Sequence, residues 1–139
     1  MVIESEFQGK VAIVTGAGQG MGRAVARRLA DGGASVVVND IDGEAAGKTV
    51  SHLESCGHKT VAAPGDITSS RDVQTMVETA LREFGDVHIL INNAGILRPT
   101  PVVDIEEDEW DLVVGVNLKG TYLCSRAVLK PMQDAGWGR

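Results

Sequence analysis

The residues of this sequence that could do chemistry are a run of glycines, two aspartates and a few asparagines. The run Thr15-Gly16-Ala17-Gly18-Gln19-Gly20-Met21-Gly22 follows the apolar stretch Val11-Ala12-Ile13-Val14 and precedes the helical-looking Arg23-Ala24-Val25-Ala26-Arg27-Arg28-Leu29. Glycines at a strand-to-helix junction allow a tight turn, close approach of backbone to a ligand, and close packing of helix on strand. The free N–H groups and positive dipole end of the helix then suit a phosphate. Alone, such a turn is as often structural as functional. The context adds to it, because the next strand-like run, Ala34-Ser35-Val36-Val37-Val38, ends in Asn39-Asp40. An acid about 20 residues beyond the glycines stands where a ribose is gripped. A carboxylate at Asp40 can accept both hydroxyls of an adenosine ribose and would repel a 2′-phosphate. Its structural alternative is a helix N-cap or turn residue.

The other candidates also fall at strand ends. Asp66 follows the third strand-like run, and its carboxylate could accept the exocyclic amine of an adenine or, alternatively, cap the helix that begins at Thr68 or Ser69. Asn92-Asn93-Ala94-Gly95 follows the fourth. There Asn93, Ala94 and Gly95 offer backbone groups and room for a flat ring or ribose, or else form a turn held by asparagine side chains. Asn117 interrupts a helical apolar stripe of Trp110, Val113, Val114, Leu118 and Thr121. A buried amide needs partners. It either bonds a neighbouring backbone or holds water beside a site.

The elements that must position these residues are legible from periodicity. Apolar strands span 10–15, 34–40, 59–63 and 87–91, continuous rather than alternating, as strands covered on both faces should be. A first helix carries Met21, Ala24, Val25 and Leu29 on its inner side and stops at Gly32-Gly33. A weaker second helix spans 42–55. A third opens at Ser69, with Asp72 in capping-box position, and carries Val73, Met76, Val77, Ala80, Leu81 and Phe84 on one face. A long helix runs from about Ile105 towards Pro131, where it should kink or end. Strands alternating with helices predict an α/β fold: one domain, residues 1–139, with a doubly wound parallel sheet and right-handed crossovers. In such sheets ligands sit outside the carboxyl ends of the strands, where every candidate above falls.

Composition excludes other classes. The 139-residue chain carries a net charge of −6 and no basic run, which argues against nucleic acid as a partner. No apolar stretch approaches the ~20 residues of a bilayer span, and residues 1–9 hold acids and no apolar signal core. Cys56 and Cys124 have neither metal nor redox spacing and suit a reduced, cytoplasmic setting. No pair among His52, His58 and His88 has zinc-helix spacing, so no metal site is expected, and the histidines read as surface or strand-edge residues. No Gly-Lys-Ser/Thr follows the glycine turn, which excludes a P-loop.

Taken together, the motifs resemble the short-chain dehydrogenases/reductases. Residues 15–22 match that family's T-G-x-x-x-G-x-G loop, Asp66-Ile67 its adenine-contacting pair, Asn92-Asn93-Ala94-Gly95 its N-N-A-G motif, and Val116-Asn117 its catalytic-helix asparagine. The resemblance implies a Rossmann sheet of strand order 3-2-1-4 and an NAD(P)-dependent oxidoreductase moving hydride between nicotinamide and a secondary alcohol or ketone. It implies that Gly16, Gln19, Gly20, Met21 and Gly22 line the pyrophosphate and that Asp40 selects NAD over NADP. Asp66, Ile67, Asn93, Ala94 and Gly95 would hold the adenine and ribose side, and Asn117 would be the catalytic asparagine that holds a relay water. A homodimer or homotetramer through the 105–130 helix is implied as well.

The sequence departs from the family in one respect. Its single tyrosine, Tyr122, is followed four residues later by Arg126 rather than lysine, so the family's serine and Y-x-x-x-K are absent. The expectation is therefore an N-terminal portion, inactive alone, lacking the family's C-terminal strands and leaving the 87–91 strand as an open edge. The rival expectations are a non-catalytic NAD-binding module acting through a partner chain and a methyltransferase using S-adenosylmethionine, which shares a glycine loop and a strand-two acid.

Overall fold

In the computed structural model, which describes residues 5–139, four strands form one parallel sheet in the order β3-β2-β1-β4. They are β1 (Val11–Val14), β2 (Ser35–Val38), β3 (Thr60–Ala62) and β4 (Ile89–Ile91). Val11 pairs with Ser35 and Val14 with Val38, while Ala12 pairs with Ile89 and Val14 with Ile91. This is the expected Rossmann-type order. The first four residues of the stretch expected to lack a signal core, residues 1–4, lie outside the described residues.

The continuous apolar strands are explained by two cores. Ala12, Val14, Val36 and Val38 face helices α1 (Gly20–Asp31) and α2 (Gly43–Ser55), packing on Ala26, Leu29, Ala46 and Leu53. Val11, Ile13 and Val37 face the opposite layer, where α3 (Ser70–Phe84) contributes Val73, Met76, Val77 and Ala80 and the last helix contributes Cys124 and Val128. β1 and most of β2 are therefore buried on whichever face each residue points to, while β3 and the end of β4 are only partly covered.

The helix ends follow local chemistry. Asp42 caps α2 by accepting the N–H groups of Glu44 and Ala45. Ser69 caps α3 by accepting from Asp72 N, and Gly85 closes it in a left-handed conformation at φ +83°. Only half of the capping box forms, because the Asp72 carboxylate turns to accept the backbone N–H of Asp66.

Several expectations are corrected. The inner stripe of α1 consists of Gly22, Ala26, Leu29 and Ala30, while Met21 is 77% exposed and Ala24 is also exposed. The stripe is displaced because the smallest residues face the sheet. A Cβ at Gly22 would collide with the carbonyl oxygen of Gly16, so this face must carry glycine to sit where it does.

The expected single helix over 105–131 is instead three segments. They are α4 (Glu107–Val114), a π-helical stretch Gly115–Lys119, and α5 (Gly120–Asp134). Pro131 lies inside α5 and does not end it, since one lost N–H close to a helix terminus is tolerated when the last turn closes on Ala135 N and Pro131 O. The stripe expected to face inward does so only in part: Val113, Val114 and Thr121 are half-buried, while Trp110 is 59% and Leu118 68% exposed. Gly120 is the close contact instead, because a Cβ there would lie 2.5 Å from Ile67 Cδ1.

The edge of β4 is not fully open. Arg139 N donates to His88 O and Leu90 N donates to Arg139 O, both at 3.0 Å, a parallel bridge on the outer side. Beside it, the cationic groups of Lys10 and Arg139 lie over the Trp137 ring at 4.2 and 5.2 Å from its centroid. His88, directly before β4, is the strand-edge residue expected and is half-buried, its Nδ1 accepting the backbone N–H of Val11.

Candidate functional site

All four parallel strands deliver their carboxyl ends to one cleft of about 320 Å³. Gly16, Gln19, Asn39, Asp40, Ile41, Gly65, Asp66, Ile67, Asn93, Ala94, Gly95, Ile96 and Val116 line it. Eight of these were expected from the sequence. Gly20, Met21, Gly22 and Asn117 are not in the lining; they lie on the first turn of α1 and on the π-helical stretch.

The glycine turn is shaped for close approach. Gly16 has φ +62°, and a Cβ there would lie 2.9 Å from Ala94 Cα, so the loops after β1 and β4 touch through backbone. Gly18 is equally confined, with Ala45 Cβ and an Asp40 carboxylate oxygen within 2.8 Å of where its Cβ would be. At the N-terminus of α1, Gln19 is the cap residue and makes no side-chain cap bond, whereas α2 and α3 are both capped by side chains. The first N–H groups of α1 are thus left for another acceptor.

Two side chains lock the far wall. Thr15 is buried, and its Oγ1 donates to Ile91 O while accepting from Asn93 N and Ala94 N at 3.1 Å. Asn93 returns the contact, its Nδ2 donating to Thr15 O at 2.9 Å and to Gly16 O at 3.1 Å. On the opposite wall, buried Asn39 donates to Ala63 O and Gly65 O, tying the ends of β2 and β3.

The acids keep acceptor capacity. Asp40 Oδ2 accepts Gly18 N at 2.9 Å and Oδ1 accepts Asp42 N at 3.0 Å, leaving lone pairs on both oxygens. The turn role weighed for Asp40 is therefore present, while the cap of α2 is Asp42. Asp66 Oδ1 accepts both the N–H and the hydroxyl of Thr68 at 2.8 Å, and among the described residues nothing donates to Oδ2. Ile41 is 75% exposed at the mouth and, with Ile67, supplies apolar surface on either side of these acids.

Asn117 bonds backbone. Its Oδ1 accepts Ile96 N and its Nδ2 donates to Ile96 O, both at 2.8 Å, and a Cβ at Gly95 would lie 3.1 Å from Oδ1. It is exposed, not buried in a stripe, and it fixes the loop after β4 against the π-helical stretch. Tyr122 stands outside the cleft, 55% exposed on α5, with Arg126 Nη1 3.4 Å from its hydroxyl.

Thr15, Asn39 and Ile41 were given no role from the sequence. The signal for the first two was a lone polar residue closing an apolar strand. For Ile41 it was an apolar residue directly after the acid. Among the described residues no three His, Cys, Asp or Glu side chains gather as a metal site, and no helix is long and apolar enough to cross a membrane.

The comparisons with known proteins agree with this geometry. Residues 10–139 match the family model described as short chain dehydrogenase. The chain is similar to the (2S)-[(R)-hydroxy(phenyl)methyl]succinyl-CoA dehydrogenase subunit BbsD of Thauera aromatica, 42% identical over 96% of this chain and 54% of that protein. It is 39% identical to the 2,3-dihydro-2,3-dihydroxybenzoate dehydrogenase of Bacillus subtilis, over 92% of this chain and 49% of that protein. It is 42% identical to the peroxisomal multifunctional enzyme type 2 of Drosophila melanogaster, over 96% of this chain and 23% of that protein. The chain thus spans about half the length of the first two and less of the third. With a family model covering nearly its whole length and a Rossmann-type sheet built around the matching motifs, this chain belongs to the short-chain dehydrogenase family.

Proposed function

We propose that the chain binds NAD in this cleft and forms the cofactor-holding part of an oxidoreductase that acts on a secondary alcohol or ketone. The supporting observation is the pairing of an uncapped α1 N-terminus on a confined glycine turn with the Asp40 carboxylate in the same cleft. Bound NAD supplies the hydride-accepting ring. The N–H groups of Gln19, Gly20, Met21 and Gly22 hold the pyrophosphate, helped by the helix dipole. Asp40 accepts the ribose hydroxyls and repels a 2′-phosphate. Asp66 Oδ2 accepts the adenine amine, Ile41 and Ile67 cover the ring faces, and Asn93, Ala94 and Gly95 line the path towards the nicotinamide.

Asn117 acts here as a positioning residue, holding Ile96 and Gly95 in place. No tyrosine of the described chain reaches the cleft to move a proton, so these residues bind the cofactor and do not turn over substrate by themselves. The apolar residues exposed on α4, the π-helical stretch and α5, Trp110, Leu112, Leu118, Tyr122 and Leu129, favour self-association through this face as a homodimer or homotetramer.

Calorimetric titration of the purified chain tests the proposal. NAD should bind, and NADP should bind at least about tenfold more weakly, since a like-charge repulsion of only about 1.4 kcal/mol already gives that factor. Absence of binding by either nucleotide would overturn it.

A further inference from the structure

The chain has four threonines on helices α2, α3 and α5 whose hydroxyls find partners. Three of them bond their own helix one turn back: Thr75 to Arg71 O, Thr79 to Thr75 O, and Thr121 to Asn117 O. This is the ordinary local solution for a helical threonine. Thr49 on α2 differs. It is fully buried, and its hydroxyl donates to Gly18 O at 3.1 Å, in the glycine turn 31 residues away.

The same glycine is held on its other side, since its N–H donates to Asp40 Oδ2 at 2.9 Å. Both polar atoms of Gly18 are therefore fixed, one by the end of β2 and one by α2. Ala45 of α2 closes the space where a side chain would be. The consequence lies in the next peptide. In a trans peptide the C=O and the following N–H point in opposite directions. With Gly18 O drawn towards Thr49, the N–H of Gln19 is turned away from α2. No described residue accepts that N–H, and Gln19 lines the cleft.

We infer that Thr49 is a positioning residue for cofactor binding: it sets the Gly18–Gln19 peptide so that the Gln19 N–H faces the pyrophosphate. The inference rests on the NAD-binding reading above. It makes α2, which contributes no residue to the cleft lining, part of the phosphate site. A buried hydroxyl donor also cannot be removed freely, because Gly18 O then loses its partner.

The test compares ligands that differ in the pyrophosphate. NAD and adenosine are titrated into the unaltered chain, Thr49→Val and Thr49→Ser. Valine keeps the shape and removes the donor, while serine keeps the donor. The ratio of NAD affinity to adenosine affinity should fall about fivefold in Thr49→Val, the scale of one net hydrogen bond, and return to the unaltered value in Thr49→Ser. A merely structural threonine would lower the melting temperature and leave that ratio unchanged, which would overturn the inference. So would a serine variant that behaves like valine.

A readout that needs no variant is the Gln19 amide itself. In the unaltered chain its NMR exchange with solvent should slow when NAD binds and stay fast with adenosine. If NAD binds and this amide is not protected, the inference fails while the binding proposal stands. If NAD does not bind at all, the binding proposal is what has failed.

Discussion

Thr15 and Asn93 are bonded to each other twice: Asn93 N donates to Thr15 Oγ1 at 3.1 Å, and Asn93 Nδ2 donates to Thr15 O at 2.9 Å. The end of β1 and the loop after β4 are thereby one rigid piece, and the cleft has a fixed wall. Thr15→Val removes the acceptor for two amides, Asn93 N and Ala94 N. Leaving such groups without partners should lower stability by about 3 kcal/mol in urea unfolding. Thr15→Ser keeps the acceptor and should cost only about 1 kcal/mol for the lost methyl. Equal losses in the two variants would show that the hydroxyl does not hold the wall.

Asp40 serves two purposes, anchoring Gly18 and presenting a charge to the cleft. Asp40→Asn retains an oxygen that can accept Gly18 N and removes the charge, so the fold should survive. Calorimetry should show the preference for NAD over NADP narrowing by about tenfold. An unchanged preference would assign the choice to another residue.

Gly20 and Gly22 lie two residues apart and should respond differently to alanine. Gly20 has φ +55° with nothing near its missing side chain, so Gly20→Ala carries only the backbone strain of about 1–2 kcal/mol. Gly22→Ala would drive a methyl into Gly16 O and lie 2.5 Å from Asn93 Nδ2. It should move α1 off the sheet, cost more than about 3 kcal/mol, and weaken NAD binding with it. Thermal unfolding of both variants decides; similar melting temperatures would contradict the packing described.

Burial pushes the Cys124 thiol up from 9.0 to about 11. Between those values the native state keeps a proton that the unfolded chain has released. The unfolded state binds fewer protons there, so stability must fall as pH rises through that window. Cys124→Val should lose this part of the alkaline slope. In the native protein exposed Cys56 should react with iodoacetamide and Cys124 should not. Rapid labelling of Cys124 would contradict its burial.

What the sequence made legible was set by local rules. Apolar runs, glycine stops and strand-end polar residues marked the four strands, because a strand buried on both faces has few other ways to be written, while their order came only from the family resemblance. Asp40 and Asn93 were legible because they end such strands. Helical spacing alone places Met21 and Ala24 inward, but both are exposed. Gly22 and Ala26 face the sheet because only small residues allow the approach.

The last helix failed for a related reason. A π-helical stretch shifts the register of every side chain beyond it, and no periodicity count at 3.6 anticipates that shift. Thr49 was invisible because its partner is 31 residues away.

The most direct test is an amide NMR map of the chain with NAD. The account predicts that NAD perturbs Gly18 to Gly22, Asp40, Asp66-Ile67 and Asn93 to Gly95 together, with α4 and the outer face of α5 unmoved. Perturbations confined to another surface, or no perturbation of a folded chain at saturating NAD, would contradict it.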